Sequence, residues 1–162
     1  MTPLLEKTPP SPDQFRDCAR REFAFLEHEY GFRERPIPAD TPFSNSCAVW
    51  FANSTTLIVI EGINWGMNAR VAIGSARHDR RFENYDLGDL VAIRRNVGSG
   101  SSEAPQPPSG QLEQLPYYAA LLHELAEDVL RGDHTVFTDL AARVEARRVE
   151  FFRQRLNGRA DG

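Results

Sequence analysis

Lysine is almost missing from this chain: Lys7 is the only one, so the other positive charges are arginines. That bias is what a GC-rich coding genome produces and selects no guanidinium chemistry by itself. The formal net charge of -4 is too small to mark either a nucleic-acid binder or an acidic mimic. Cysteine is scarce as well. Cys18 and Cys47 lie in apolar surroundings without a C-x-x-C spacing, which argues for buried free thiols over a disulfide framework or a zinc ribbon. Neither is a nucleophile without a nearby histidine. No apolar run approaches the roughly 20 residues that a membrane helix needs, and residues 1–12 lack the basic start and apolar core of a secretory signal. These absences predict a cytoplasmic protein with no membrane partner.

What is present is ordinary globular composition, with 41% hydrophobic and 26% charged residues over 162 positions. A chain of this size can bury enough apolar surface to fold without staples, and residues 1–162 read as one α+β domain. Pro3, Pro9, Pro10 and Pro12 make residues 1–12 a loose leader. Asp13 then reads as the cap of a helix over 14–30, with Phe15, Cys18, Ala19, Phe23, Leu26 and Tyr30 spaced by threes and fours and Gly31 as its stop. Glu22 interrupts that stripe. Arg33 to Phe43, with three prolines, reads as an extended connection.

Three short strands follow, at 47–52, 57–60 and 69–73. Asn53-Ser54 suits a tight turn, and Gly62 to Gly66 carries the glycines and asparagine of a second hairpin, so an antiparallel meander is expected. Unbroken apolarity in the second strand implies cover on both faces or a central place. Residues 85–94 read as a short helix capped by Asp86, with a fourth strand as the alternative. Residues 96–110, NVGSGSSEAPQPPSG, hold too few apolar side chains to offset the entropy of ordering and are expected to be a flexible connection. A helix over 111–131 ends at Gly132. Another, capped by Asp133 or Thr135, runs to about Leu156 with Val136, Phe137, Leu140, Val144, Phe151 and Phe152 for packing. The two are expected to form an antiparallel hairpin on the sheet.

Motifs with chemical content are weak. His123-Glu124-Leu125-Ala126-Glu127 has a glutamate where a zinc-peptidase helix has its second histidine, and no third ligand is indicated. Gly98-Ser99-Gly100 lacks the preceding strand and the G-K-[ST] ending of a phosphate loop. His28, His78 and His134 are isolated, without a paired nucleophile. No catalytic residue, metal or cofactor is assigned. Two alternatives stay open. Glu22 or Glu61, pushed towards general-base behaviour by burial, could meet His123 across the sheet. Arg77, Arg80, Arg81, Arg94 and Arg95 with Phe82 and Tyr85 could contact nucleic acid, although Asp79, Glu83 and Asp86 neutralise much of that field.

Recognition of another macromolecule is the better-supported expectation. Trp65, at a hairpin tip, either folds back over the sheet or is offered to a partner. Glu27, Glu29, Glu34, Asp40, Glu124, Glu127 and Asp128 could line a surface for a basic partner. The helix ending His28-Glu29-Tyr30-Gly31-Phe32, the meander through Val49-Trp50-Phe51 and Leu57-Ile58-Val59-Ile60, the start Tyr85-Asp86-Leu87, and Leu130-Arg131-Gly132-Asp133 before Phe137 together resemble small bacterial immunity proteins of polymorphic-toxin and contact-dependent competition systems. That resemblance is one of pattern over about three quarters of the chain. It implies a non-catalytic protein that neutralises a cognate secreted toxin by occluding its active site, and it assigns no contact residue.

Overall fold

The computed structural model describes residues 8–38, 47–77, 84–96 and 106–159. The first helix, α1 (Pro12–Glu22), is capped by Ser11 and not by Asp13. Ser11 Oγ accepts from the Gln14 amide and Gln14 Oε1 accepts from the Ser11 amide, a reciprocal cap that leaves Asp13 in the first turn, where a negative charge suits the helix dipole. The expected helix over 14–30 is broken: the backbone tightens at Phe23 and Ala24, and α2 (Phe25–Tyr30) restarts it. Gly31, at φ 69°, ends α2 in the left-handed conformation that its lack of a Cβ permits.

The sheet has five strands among the described residues, not three. β1 (Arg33–Arg35), β2 (Ala48–Ala52), β3 (Thr56–Ile63), β4 (Asn68–Ser75) and β5 (Tyr85–Asp86) are antiparallel neighbours in chain order. The meander of β2, β3 and β4 is as expected. The two extra strands are short edges: β1 is exposed throughout, so no apolar alternation announced it, and β5 pairs only two residues. β3 is central, which explains its continuous apolarity.

One face of the sheet, carrying Val49, Phe51, Ile58, Ile60, Val71 and Ile73, packs into a core shared with every helix. Those helices are α1, α2, α3 (Leu87–Arg94), α4 (Gln111–Leu125), α5 (Glu127–Leu130) and α6 (Phe137–Asn157). Asp86 caps α3 as expected, accepting from the Gly88 amide at 2.7 Å. The expected helix over 111–131 breaks at the fully buried Ala126, dividing α4 from α5. Gly132 follows with φ 99°.

The expected terminal hairpin does not form. α6 packs on α3 and β5 rather than lying along α4, and Leu140 is its only buried residue. Val144, Phe151 and Phe152, expected to pack, are exposed. No side chain caps α6; the Asp133 carboxylate instead accepts from the Thr135 amide and hydroxyl in the preceding turn. No helix of the described residues is long and apolar enough to cross a membrane. The leader residues 1–7 and positions 97–105 of the low-complexity connection lie outside the described residues.

Candidate functional site

The β3–β4 hairpin ends in a turn that the sequence makes expensive. Asn64, Trp65 and Gly66 have φ of 53°, 57° and 86°, and only the glycine adopts that region without steric cost. The Met67 amide closes the turn on the Asn64 carbonyl at 3.1 Å. Trp65 is 97% exposed and Met67 67%. The indole is therefore not folded over the sheet; it projects from it.

The base of this hairpin is held rigidly. Gln111 and Gln114, both buried on the first turn of α4, reach back across it. Gln114 Oε1 accepts from the Ala69 amide at 2.8 Å while its Nε2 donates to Asn68 Oδ1 and the Pro108 carbonyl. Gln111 Nε2 donates to the Asn68 carbonyl at 2.9 Å and lies where a Cβ on Gly62 would stand, 2.3 Å away. Pro9 closes on Gly66 in the same way, 2.5 Å from the position of a Cβ there. Part of the expected loose leader is thus seated against the tip.

The opposite end of the sheet is a polar latch. Asn53 Nδ2 donates to the carbonyls of Tyr30 and Leu130, and its Oδ1 accepts from the Thr55 and Thr56 amides. Tyr30 lies beside it, its phenol pushed up by burial and by the nearby carboxylates of Glu127 and Glu29. His123 Nε2 meets Glu29 Oε2 at 2.7 Å, and its ring lies 4.6 Å from that of Phe25.

These placements divide the candidates. Glu29 and Glu127 are brought together around Tyr30, with Glu124 and Asp128 on the adjoining α4–α5 corner. Glu127 is paired with Arg131, Asp128 with Arg94 and Glu124 with Arg95. Glu27 is exposed on α2. Glu34 is elsewhere, gripped on β1 by both Nε and Nη2 of Arg20, whose hydrogen bonds hold its carboxyl below the usual carboxylate range. Asp40 lies outside the described residues. Trp65 stands beyond the far end of β3, a strand of eight residues spanning roughly 25 Å. One continuous patch cannot contain the indole and the α4–α5 acids.

The enzyme constellation does not assemble. Glu61 points to the face opposite the core, where Arg70 bridges it to Asp86 at 3.2 and 3.1 Å. His123 is on α4, which covers the core face, and its partner is Glu29. Glu22 is paired with Arg21. Beside Arg70 lies an open depression of about 380 Å³, lined also by Asp89, Val144 and Arg147. Its charges neutralise one another: the buried Asp89 carboxylate accepts from Arg143 Nε at 3.0 Å and from Arg147. Burial raises the Cys18 thiol, which disfavours its thiolate. No group of three metal-ligating side chains occurs among the described residues.

Among the described residues, two of the three arginines of the arginine segment are engaged in ion pairs. Arg94 and Arg95 form the ion pairs named above, and Tyr85 packs on Phe137 with ring centres 5.2 Å apart. His78, Arg80, Arg81 and Phe82 lie outside the described residues. What sequence reasoning missed is the exposure of the apolar half of α6, whose Val144, Phe151 and Phe152 it expected to pack. No family model matches the chain, and no curated protein or solved structure is significantly similar to it.

Proposed function

We propose that this chain is a non-catalytic protein-binding domain that presents Trp65 and Met67 to a partner. The observation that carries this reading is the 97% exposure of Trp65 in a left-handed backbone conformation. Large aromatics lose little conformational entropy when they dock and dominate interface energies. Backbone strain of about 1–3 kcal/mol persists only where the surroundings enforce it, and here Gln111, Gln114 and Pro9 do so. A rigid, strained tip with an outward indole is pre-organised for insertion into an apolar pocket.

The specific form of this reading is a cytoplasmic immunity protein that occludes the active site of a secreted toxin. Its support is the resemblance of pattern in the first helix, the meander and the Tyr85 segment. The partner's pocket is then apolar around the indole. The α4–α5 acids, at the far end, serve a second contact or solvation.

The test is whether a toxin-like domain is encoded beside this chain, followed by a binding titration with that domain; the lack of such a neighbour counts against the immunity reading. Trp65→Ala is expected to weaken the complex about thirtyfold or more. A Glu127→Gln variant is expected to change it little. Equal affinity of Trp65→Ala and the parent protein rejects the tip as the binding element.

A further inference from the structure

Met67 carries the one thioether among the described residues; the other methionine, Met1, lies outside them. It stands two positions after Trp65 at the end of the β3–β4 hairpin and is 67% exposed. Its backbone amide closes the turn on the Asn64 carbonyl, while its side chain belongs neither to the core nor to the half-buried residues packed against it. The two remaining sulfur atoms are placed differently. Cys18 is a core residue whose thiol is pushed up by burial, and Cys47 is half-buried beside the core.

Access decides the reactivity of a thioether. It attacks through a neutral lone pair and loses no proton, whereas a thiol must first become a thiolate. A peroxide transfers one oxygen atom to such a sulfur: the S–O bond forms, the O–O bond breaks, and the second oxygen leaves as water. The thioether is oxidised by two electrons and the peroxide is reduced by two. An apolar side chain has then become polar and chiral. Within a core that change disrupts packing, but at Met67 it alters only what the hairpin presents.

We propose that Met67 is a reversible oxidation switch on the tip, in which a peroxide forms the sulfoxide and the partner is released. This rests on the tip being the binding element and adds its regulation. A pocket that accepts the indole and the thioether is apolar, so the sulfoxide oxygen enters it with no donor to meet it, and burying an unmatched polar group is costly. The return step also balances. Methionine sulfoxide reductases remove the oxygen as water, with two electrons from a dithiol that becomes a disulfide. The hairpin end leaves Met67 open to such an enzyme.

The full chain is treated with hydrogen peroxide at about pH 6, where ordinary thiols stay protonated, and the sites of oxidation are mapped by mass spectrometry of its peptides. One added oxygen on Met67 is expected, removed again by the reductases, with far-ultraviolet circular dichroism unchanged. The oxidised protein and Met67→Gln, which sets a polar group at the same place, are each expected to bind the partner about tenfold more weakly. Met67→Leu is expected to bind like the parent before and after peroxide. Retention on a phenyl matrix reads the same change without a partner, falling for the oxidised and Met67→Gln proteins and holding for peroxide-treated Met67→Leu.

Oxygen gained elsewhere while Met67 stays a thioether overturns the proposal. So does an oxidised protein that is bound and retained like the parent, or a peroxide-treated Met67→Leu that loses binding. If Trp65→Ala weakens the complex and oxidation does not, the switch alone fails. If neither does, the tip has failed as the binding element and the switch with it.

Discussion

Thr56 and His134, 78 positions apart, share a hydrogen bond of 2.9 Å in which the histidine is the donor. The direction follows from counting protons. Thr56 Oγ1 has one hydrogen and gives it to the Val129 carbonyl at 2.8 Å, so it can only accept from His134 Nε2. The contact joins the start of β3 to the loop before α6, and the imidazole also stacks on Phe137 at 4.3 Å.

That contact predicts a pH dependence. Burial depresses the His134 pKa below its ordinary 6.5, against a smaller opposing effect of Asp133, while Arg77 adds to the depression. The unfolded chain therefore binds the proton more readily than the folded one, and stability rises with pH through this group. The contribution is complete above about 6.5 and is lost as pH falls through the lower folded value. Thermal unfolding should show the melting temperature dropping from pH 7 towards pH 5, a range that brackets the ordinary histidine value of 6.5. His134→Gln should flatten that slope. Glu34, held low by Arg20, acts in the same direction only as pH falls below its ordinary 4.5, so the two windows separate.

Asn53 makes a second prediction. Its amide satisfies two carbonyls and two backbone amides at the junction of the β2–β3 turn with α2 and α5. Asn53→Ala should cost about 2–3 kcal/mol in urea unfolding, the sum of several lost hydrogen bonds and stranded polar groups. Asn53→Asp keeps the acceptor but sets a negative charge against the carbonyls of Tyr30 and Leu130. It should be destabilised as well; parent-like stability would show that the donor half of the amide matters little.

The Asp89 cluster gives a third. Its buried carboxylate is what draws Arg143 and Arg147 of α6 onto α3. Asp89→Asn should destabilise by about 1–3 kcal/mol and raise amide hydrogen exchange in the first half of α6 above that of α4. Uniform exchange in both helices would place the docking energy in Leu140 and Phe137 instead.

Trp65 supplies a fourth, in which stability and recognition move oppositely. Trp65→Gly relieves a left-handed side-chain clash and should raise unfolding free energy by about 1 kcal/mol, provided the added flexibility of the unfolded chain does not cancel it. The same variant should bind a partner far more weakly. A variant that is both less stable and fully competent to bind would contradict the role given to the indole.

The central meander was readable because β2, β3 and β4 are apolar runs separated by Asn53 and by the Gly62 to Gly66 turn, signals that act over neighbouring residues. Asp86 and Gly31 were readable for the same reason: a cap or a left-handed stop is satisfied within its own turn. The edge strand β1 was not, since it has no buried side chain, and a strand within residues 85–94 was readable only as an alternative to the helix, because β5 exists by pairing with Ala72 and Ile73 of β4. Trp65 could be placed at a tip, but its direction depended on the two glutamines and the proline that brace the turn.

What the sequence determined alone is the inventory of elements, because periodicity, capping and turn chemistry are local. Tertiary structure decided which apolar stripes found a cover. Leu115 and Leu122 of α4 and Val144 and Phe151 of α6 are each seven residues apart, yet the first pair is fully buried and the second is exposed. Burial is a property of the surface that a stripe meets, and no rule of spacing within one helix contains that surface. The same holds for the acids: Glu29 and Glu127 share a neighbourhood, and Trp65 stands at the other end of the sheet from them, because β3 separates what the sequence left unordered.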